Sequence, residues 1–124
     1  MNIIADTHVF LWSLSEPSKL HELQRAELEI PTNTIWLSSV SIAEIMIKAS
    51  LGKRPFSLDL LAAARDSGYE FLAYSAEDAL PLRNLSFHHK DPFDRMIISQ
   101  AMTRGYSVII NDEKFLLYPC KLIN

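Results

Sequence analysis

The chain has 124 residues, 48% hydrophobic and 22% charged, the proportions of an ordinary globular chain rather than a disordered or fibrous one. Twelve Lys and Arg against fifteen Asp and Glu leave a formal charge of −3, which excludes a protein that coats nucleic acid through a broad basic face. No apolar run reaches the roughly 18 residues of a membrane span, no basic-then-apolar leader opens the chain, and the lone Cys120 cannot form an internal disulfide, so a reducing cytoplasm is the expected location.

A single domain over residues 1–124 is expected at this length. In chain order, Ile3-Ile4-Ala5 predicts a buried strand and Thr7 to Leu14 a short helix. Pro17-Ser18 breaks the chain, with Ser18 predicted to cap a helix from Lys19 to about Ile30. Pro31 to Thr34 reads as a loop and Ile35 to Ser38 as a second strand. An apolar helix is predicted from Ser41 to about Leu51, stopped by Gly52, followed by a basic loop from Lys53 to Phe56. Ser57 opens a further helix that ends at Gly68, and Tyr69 to Ala73 reads as a third strand. Ser75 to Asp78 has the spacing of a capping box for a helix through Leu82. An irregular polar stretch, Ser86 to Phe93, precedes a helix from Asp94 to about Thr103. After Gly105 come a strand, Ser107 to Ile110, a turn over Glu113 to Leu117 and the tail. Strands joined by helices imply an α/β fold with a mainly parallel sheet covered on both faces.

Four acids stand in apolar surroundings: Asp6 after the first strand, Glu44 inside Ser41-Ile-Ala-Glu-Ile-Met-Ile47, Asp94 before Ile97 and Ile98, and Asp112 after Val108-Ile-Ile-Asn111. A buried carboxylate without a partner would rather take up a proton than stay charged, so four of them imply cations. Each also has an ordinary role to play. Asp6 and Asp94 suit helix caps, Asp112 could begin a turn, and Glu44 stands four residues before Lys48 in the order favoured for an ion pair. Taken together, acids at strand ends and helix starts favour one pocket beyond the carboxyl ends of the strands, holding Mg²⁺ or Mn²⁺ through oxygen ligands. Such a site activates water and stabilises charge on a phosphoryl oxygen. Zinc is disfavoured by the position of Cys120, and His88-His89 reads as a solvated pair. Lys48, Lys53, Arg54, Lys90 and Arg95 are candidate phosphate contacts. Phe10, Trp12 and Trp36 suit a core or a protein interface better than base stacking.

The segments Asp6-Thr-His-Val-Phe-Leu-Trp12, Ser38 to Lys48 with Leu51-Gly-Lys53, His89-Lys-Asp-Pro-Phe-Asp-Arg-Met-Ile-Ile-Ser-Gln-Ala101 and Asn111-Asp-Glu-Lys-Phe115 resemble the PIN-domain toxins of VapC type. The resemblance runs in order along nearly the whole chain, and Asp91-Pro-Phe-Asp-Arg95 is its most specific segment. It implies a three-layer α/β/α fold and Mg²⁺- or Mn²⁺-dependent endoribonuclease activity, with Asp6, Glu44, Asp94 and Asp112 as the acidic metal site and Asp91 structural or peripheral. It also implies a homodimer and a small cognate antitoxin through which alone the protein meets DNA. Phe10 and Trp12, on the apolar helix after Asp6, are the expected antitoxin contacts. Two positions depart from the family pattern: Ile110 where Ser or Thr is common, and Ala43 where Trp is frequent. Two rivals remain. One is a catalytically weak module of the same fold that acts by binding antitoxin or RNA, which Ile110 slightly favours. The other is a phosphoryl-aspartate enzyme using Asp6; those built on a paired-acid loop need an acid two residues on, where this chain has His8.

Overall fold

In the computed structural model, which describes residues 1–52, 59–86, 91–110 and 121–123, the apolar run behind Met1 forms strand β1 (Asn2–Ala5), with Ile3, Ile4 and Ala5 sealed from solvent. Asp6 then caps helix α1 (Thr7–Ser15). The next helix begins later than the sequence suggests. Pro17–Lys19 forms a single 3-10 turn, and α2 spans Glu22–Glu29 behind a reciprocal capping box of His21 and Gln24. Pro17 fits the first turn of the short helix, whereas two side chains exchanging hydrogen bonds with the backbone fix where the longer one starts.

Strand β2 (Thr34–Ser38) runs directly into α3 (Ser39–Ser50), because the Ser38 hydroxyl accepts the Val40 N–H and caps the helix two residues ahead of the predicted start. Asp59 caps α4 (Leu60–Asp66); the expected start at Ser57 lies outside the described residues. Strand β3 (Tyr69–Leu72) is followed by α5 (Ala76–Ala79), opened by the Ser75–Asp78 capping box, after which the chain tightens into a 3-10 turn over Leu80–Asn84. Helix α6 (Pro92–Arg104) ends at Gly105, whose φ of +68° is the left-handed C-terminal stop that glycine adopts without strain. Strand β4 (Ser107–Ile109) follows, and residues at the tail add β5 (Lys121–Ile123), a strand too short for periodicity to announce.

These strands form one sheet in the order β3-β2-β1-β4-β5, every pair parallel. Ile3 stands opposite Ile35 on one side and Ser107 on the other. Alternation along the strands divides the core. Ile3, Ala5, Leu37 and Ile109 pack with Val9, Phe10 and Leu60 from α1 and α4, while Ile4, Val108 and Ile110 pack with Ile97, Ile98 and Ala101 of α6. Helices therefore cover both faces, giving the three-layer α/β/α architecture. Strand order reverses between β1 and β4, and the crevice beyond the carboxyl ends of those two strands is the place such sheets reserve for ligands.

Candidate functional site

Asp6 stands at that reversal. Its N–H donates to Ile109 O at 3.0 Å across the β1/β4 seam, and its Oδ1 accepts the Val9 N–H at 2.7 Å. The cap and the crevice residue are thus one and the same, so the two readings of Asp6 do not compete. Glu44 reaches the same end from the next strand: β2 delivers α3, and Glu44 lies on its second turn. The buried Thr7 hydroxyl donates to Ser41 Oγ at 2.9 Å, tying the residue after Asp6 to the residue one turn before Glu44. Asp94 arrives from the other face. Because α6 leads through Gly105 into β4, it runs antiparallel to that strand, and its first turn lies at the carboxyl end of the sheet. The sequence expectation that Asp94 opens the helix is corrected: Asp91 is the cap, accepting the Phe93 and Asp94 N–H groups at 2.8 and 3.3 Å, and Asp94 is the third helical residue. Pro92 accounts for the shift, since proline favours the first helical position.

All three acids are nearly sealed from solvent: Asp6 3%, Glu44 1% and Asp94 9% exposed. Glu44 carries the most telling geometry. Its Oε2 accepts Lys48 Nζ at 2.6 Å, while Oε1 is buried with no hydrogen-bond partner. The Glu44–Lys48 pair, weighed from spacing as the ordinary alternative to a functional Glu44, therefore exists, though not on the surface, since only the lysine reaches solvent, at 33%. A buried acceptor left unmade costs about 1–3 kcal/mol, more when charged. A hard cation approaching that oxygen would relieve the cost, since such ions take oxygen ligands, so the carboxylate chemistry of these residues suits a hard divalent cation. Among the described residues, however, no three His, Cys, Asp or Glu side chains stand close enough to hold an ion by themselves. Asp112 lies outside the described residues, as do Lys53, Arg54, His88, His89, Lys90 and Cys120.

Other candidates change role. Arg95, expected at RNA phosphates, is buried and donates to Leu85 O at 3.0 Å and Ser86 O at 2.9 Å, so its guanidinium is engaged by backbone carbonyls. Lys48 commits its charge to Glu44. Phe10, expected at a partner interface, is wholly buried edge-to-face against Tyr69, with ring centroids 4.9 Å apart. Val9 and Leu11 are buried beside it, so α1 offers no surplus apolar surface there. Trp12 is half-buried, with Lys19 Nζ 5.6 Å from its ring and His8 beside it.

Gln24 is a supporting residue that sequence reasoning passed over. Fully buried, it donates from Nε2 to Ile110 O at 2.6 Å while its Oε1 accepts the His21 N–H, fixing the chain just before Asn111 and Asp112. Its only sequence signal was the spacing His21-x-x-Gln24, which marks a helix start. The Ile110 side chain packs in the α6-side core. Away from the crevice, burial pushes the Tyr69 hydroxyl up to about 12 despite its bond with Ser13, with the charge of Asp6 adding to the rise.

A family model described as the PIN domain matches residues 3–119. No curated protein matches the chain in sequence. Among solved structures, VapBC2 from Rickettsia felis, bound to a DNA fragment from its promoter, superposes with a TM-score of 0.77 at 20% identity, covering 100% of this chain and 98% of that one. DNA-bound VapBC from Salmonella typhimurium gives 0.74 at 20%, covering 99% and 97%. FitAcB from Neisseria gonorrhoeae gives 0.64 at 16%, covering 98% and 96%.

Proposed function

The chain belongs to the PIN-domain family, and from that premise we propose that it is a metal-dependent endoribonuclease, the toxin of a toxin–antitoxin pair. Asp6, Glu44, Asp94 and Asp112 are the proposed ligands of Mg²⁺ or Mn²⁺. The observation that carries this reading is the burial of Asp6, Glu44 and Asp94 at one end of the sheet, with a Glu44 oxygen left without a partner. When bound, such an ion supplies Lewis acidity toward a phosphodiester and acidifies a water.

The chain's own residues do the positioning. The Val9 N–H holds one Asp6 oxygen, Lys48 holds one Glu44 oxygen, and the amino end of α6 favours the charge of Asp94. Gln24 anchors the strand end that leads to Asp112. Lys53, Arg54 and Lys90 remain as proposed contacts to RNA phosphates. The VapBC assemblies among the similar structures, both DNA-bound, support an antitoxin as partner; in this reading the antitoxin is small and is the part through which alone the protein meets DNA. A homodimer working in the cytoplasm completes the proposal.

The test combines binding with cleavage. Saturating Mn²⁺ is expected to raise the melting temperature of the free protein, since a ligand of the folded state stabilises it. Glu44→Gln and Asp94→Asn are expected to abolish both that shift and RNA cleavage while remaining folded. If Mn²⁺ changes neither melting nor hydrolysis in the wild type, the catalytically weak binding module takes this reading's place.

A further inference from the structure

The pairing of Glu44 with Lys48 is one-sided in a way that bears on which ion the pocket accepts. Lys48 Nζ lies 2.6 Å from Oε2, and the other oxygen, Oε1, is buried with no partner. The two residues are one helical turn apart on α3, so the pair is built into the element and needs no loop to close it. The Thr7–Ser41 hydrogen bond holds the start of that helix against the start of α1, one turn before Glu44.

We infer that Lys48 is a positioning residue for Glu44: by occupying Oε2 it leaves Oε1 as the single oxygen offered to an ion, and so biases the pocket toward small octahedral cations and against calcium. This rests on the metal reading given above. Calcium takes six to eight oxygens in flexible geometry and readily uses both oxygens of one carboxylate, whereas Mg²⁺ requires octahedral coordination at shorter distance and makes do with one or two carboxylates plus waters. A glutamate held by one oxygen suits the second kind of ion. Groups that orient ligands in this way commonly shift metal affinity by about 10- to 100-fold when removed.

The experiment follows thermal melting of the full chain titrated with Mg²⁺, Mn²⁺ and Ca²⁺, for the wild type, Lys48→Met and Lys48→Arg. Apparent affinities from the shifts are compared as ratios, so that the general gain from deleting a positive charge cancels. The expected result is a rise of roughly tenfold in calcium affinity relative to Mg²⁺ for Lys48→Met, with Lys48→Arg restoring the wild-type ratio. Lys48→Ala, which opens the pair to water, carries the same comparison should the methionine variant lose its fold. If all three ions gain equally, Lys48 only competes for charge and the inference is overturned while the metal reading stands. If no ion stabilises the wild type, both fall together.

Discussion

Asp78 and Glu44 are both sealed from solvent, yet their oxygens live differently. Asp78 takes Arg104 Nε at 3.1 Å on one oxygen, and Arg104 Nη2, Gln100 Nε2 and the Ser75 N–H on the other. Burial alone would raise its pKa, but the bonds from Arg104, the Ser75 backbone and Gln100 outweigh it and hold the carboxyl at about 2. A fully satisfied acid of this kind ties α5 to α6, whereas Glu44 keeps one buried oxygen without a partner. Because the folded pKa lies below the ordinary 3.8, Asp78 stabilises the fold at pH above about 4, and that contribution is lost as pH falls through 2. Asp78→Asn is expected to cost about 3 kcal/mol at neutral pH and to flatten the loss of stability between pH 4 and 2, measured by urea unfolding across that range. At Asp6 the two roles can be separated by substitution. Asparagine still caps α1, so Asp6→Asn should melt close to wild type while losing cleavage, whereas Asp6→Ala should lose cleavage and about 1 kcal/mol of stability as well.

Helix α6 carries two acids three residues apart, and the position of its first residue decides what each of them does. With the start at Pro92, Asp91 bonds the exposed ends of the backbone and Asp94 is set back into the first turn. Asp91→Ala should therefore cost about 1 kcal/mol and loosen the turn that holds Asp94, lowering cleavage, while Asp91→Ser, which keeps a capping oxygen, should recover most of both. Thermal melting beside an RNA cleavage assay checks the pair. Arg95, one residue beyond Asp94, gives a contrasting case. Its guanidinium satisfies the Leu85 and Ser86 carbonyls, so Arg95→Met is expected to lower stability by about 1–3 kcal/mol without changing the affinity of folded protein for RNA. A loss of RNA affinity at unchanged stability would return Arg95 to the substrate side. Nothing in the local sequence separates these roles, because an arginine beside a conspicuous acid looks the same whether it faces a phosphate or two backbone carbonyls.

Across the whole molecule, the parallel sheet puts the ends of β1 and β4 side by side and lets α1, α3 and α6 bring acids from positions 6, 44 and 94 to one end. The proposed antitoxin must meet this body elsewhere than at Phe10, which is core. Trp12 is still reachable: half-buried, flanked by His8 and Lys19, it can be truncated without opening the centre of the fold. Trp12→Ala is expected to keep its circular dichroism spectrum and its cleavage while weakening antitoxin binding. A folded variant with unchanged affinity would place that interface away from α1.

The sequence by itself determined the alternation of strands and helices, and with it a parallel sheet covered on both faces, because the apolar period is a local property that each segment states alone. It also marked Asp6, Glu44 and Asp94 as out of place in apolar surroundings, since the cost of an uncompensated charge is independent of fold. Spacing also offered the Glu44–Lys48 pair, as the ordinary alternative to a functional Glu44. Only the tertiary structure decided the rest. Whether that pair faced solvent, whether Arg95 or Phe10 faced a partner, and where β5 joined the sheet all depend on which surfaces other elements cover. Strand order, and therefore the crevice at the β1/β4 reversal, arises from contacts between residues such as Ala5 and Ile109, more than 100 positions apart. No window of sequence contains both sides of such a contact, so candidate acids could be named from the chain, while the crevice beside Asp6 emerges only in the fold.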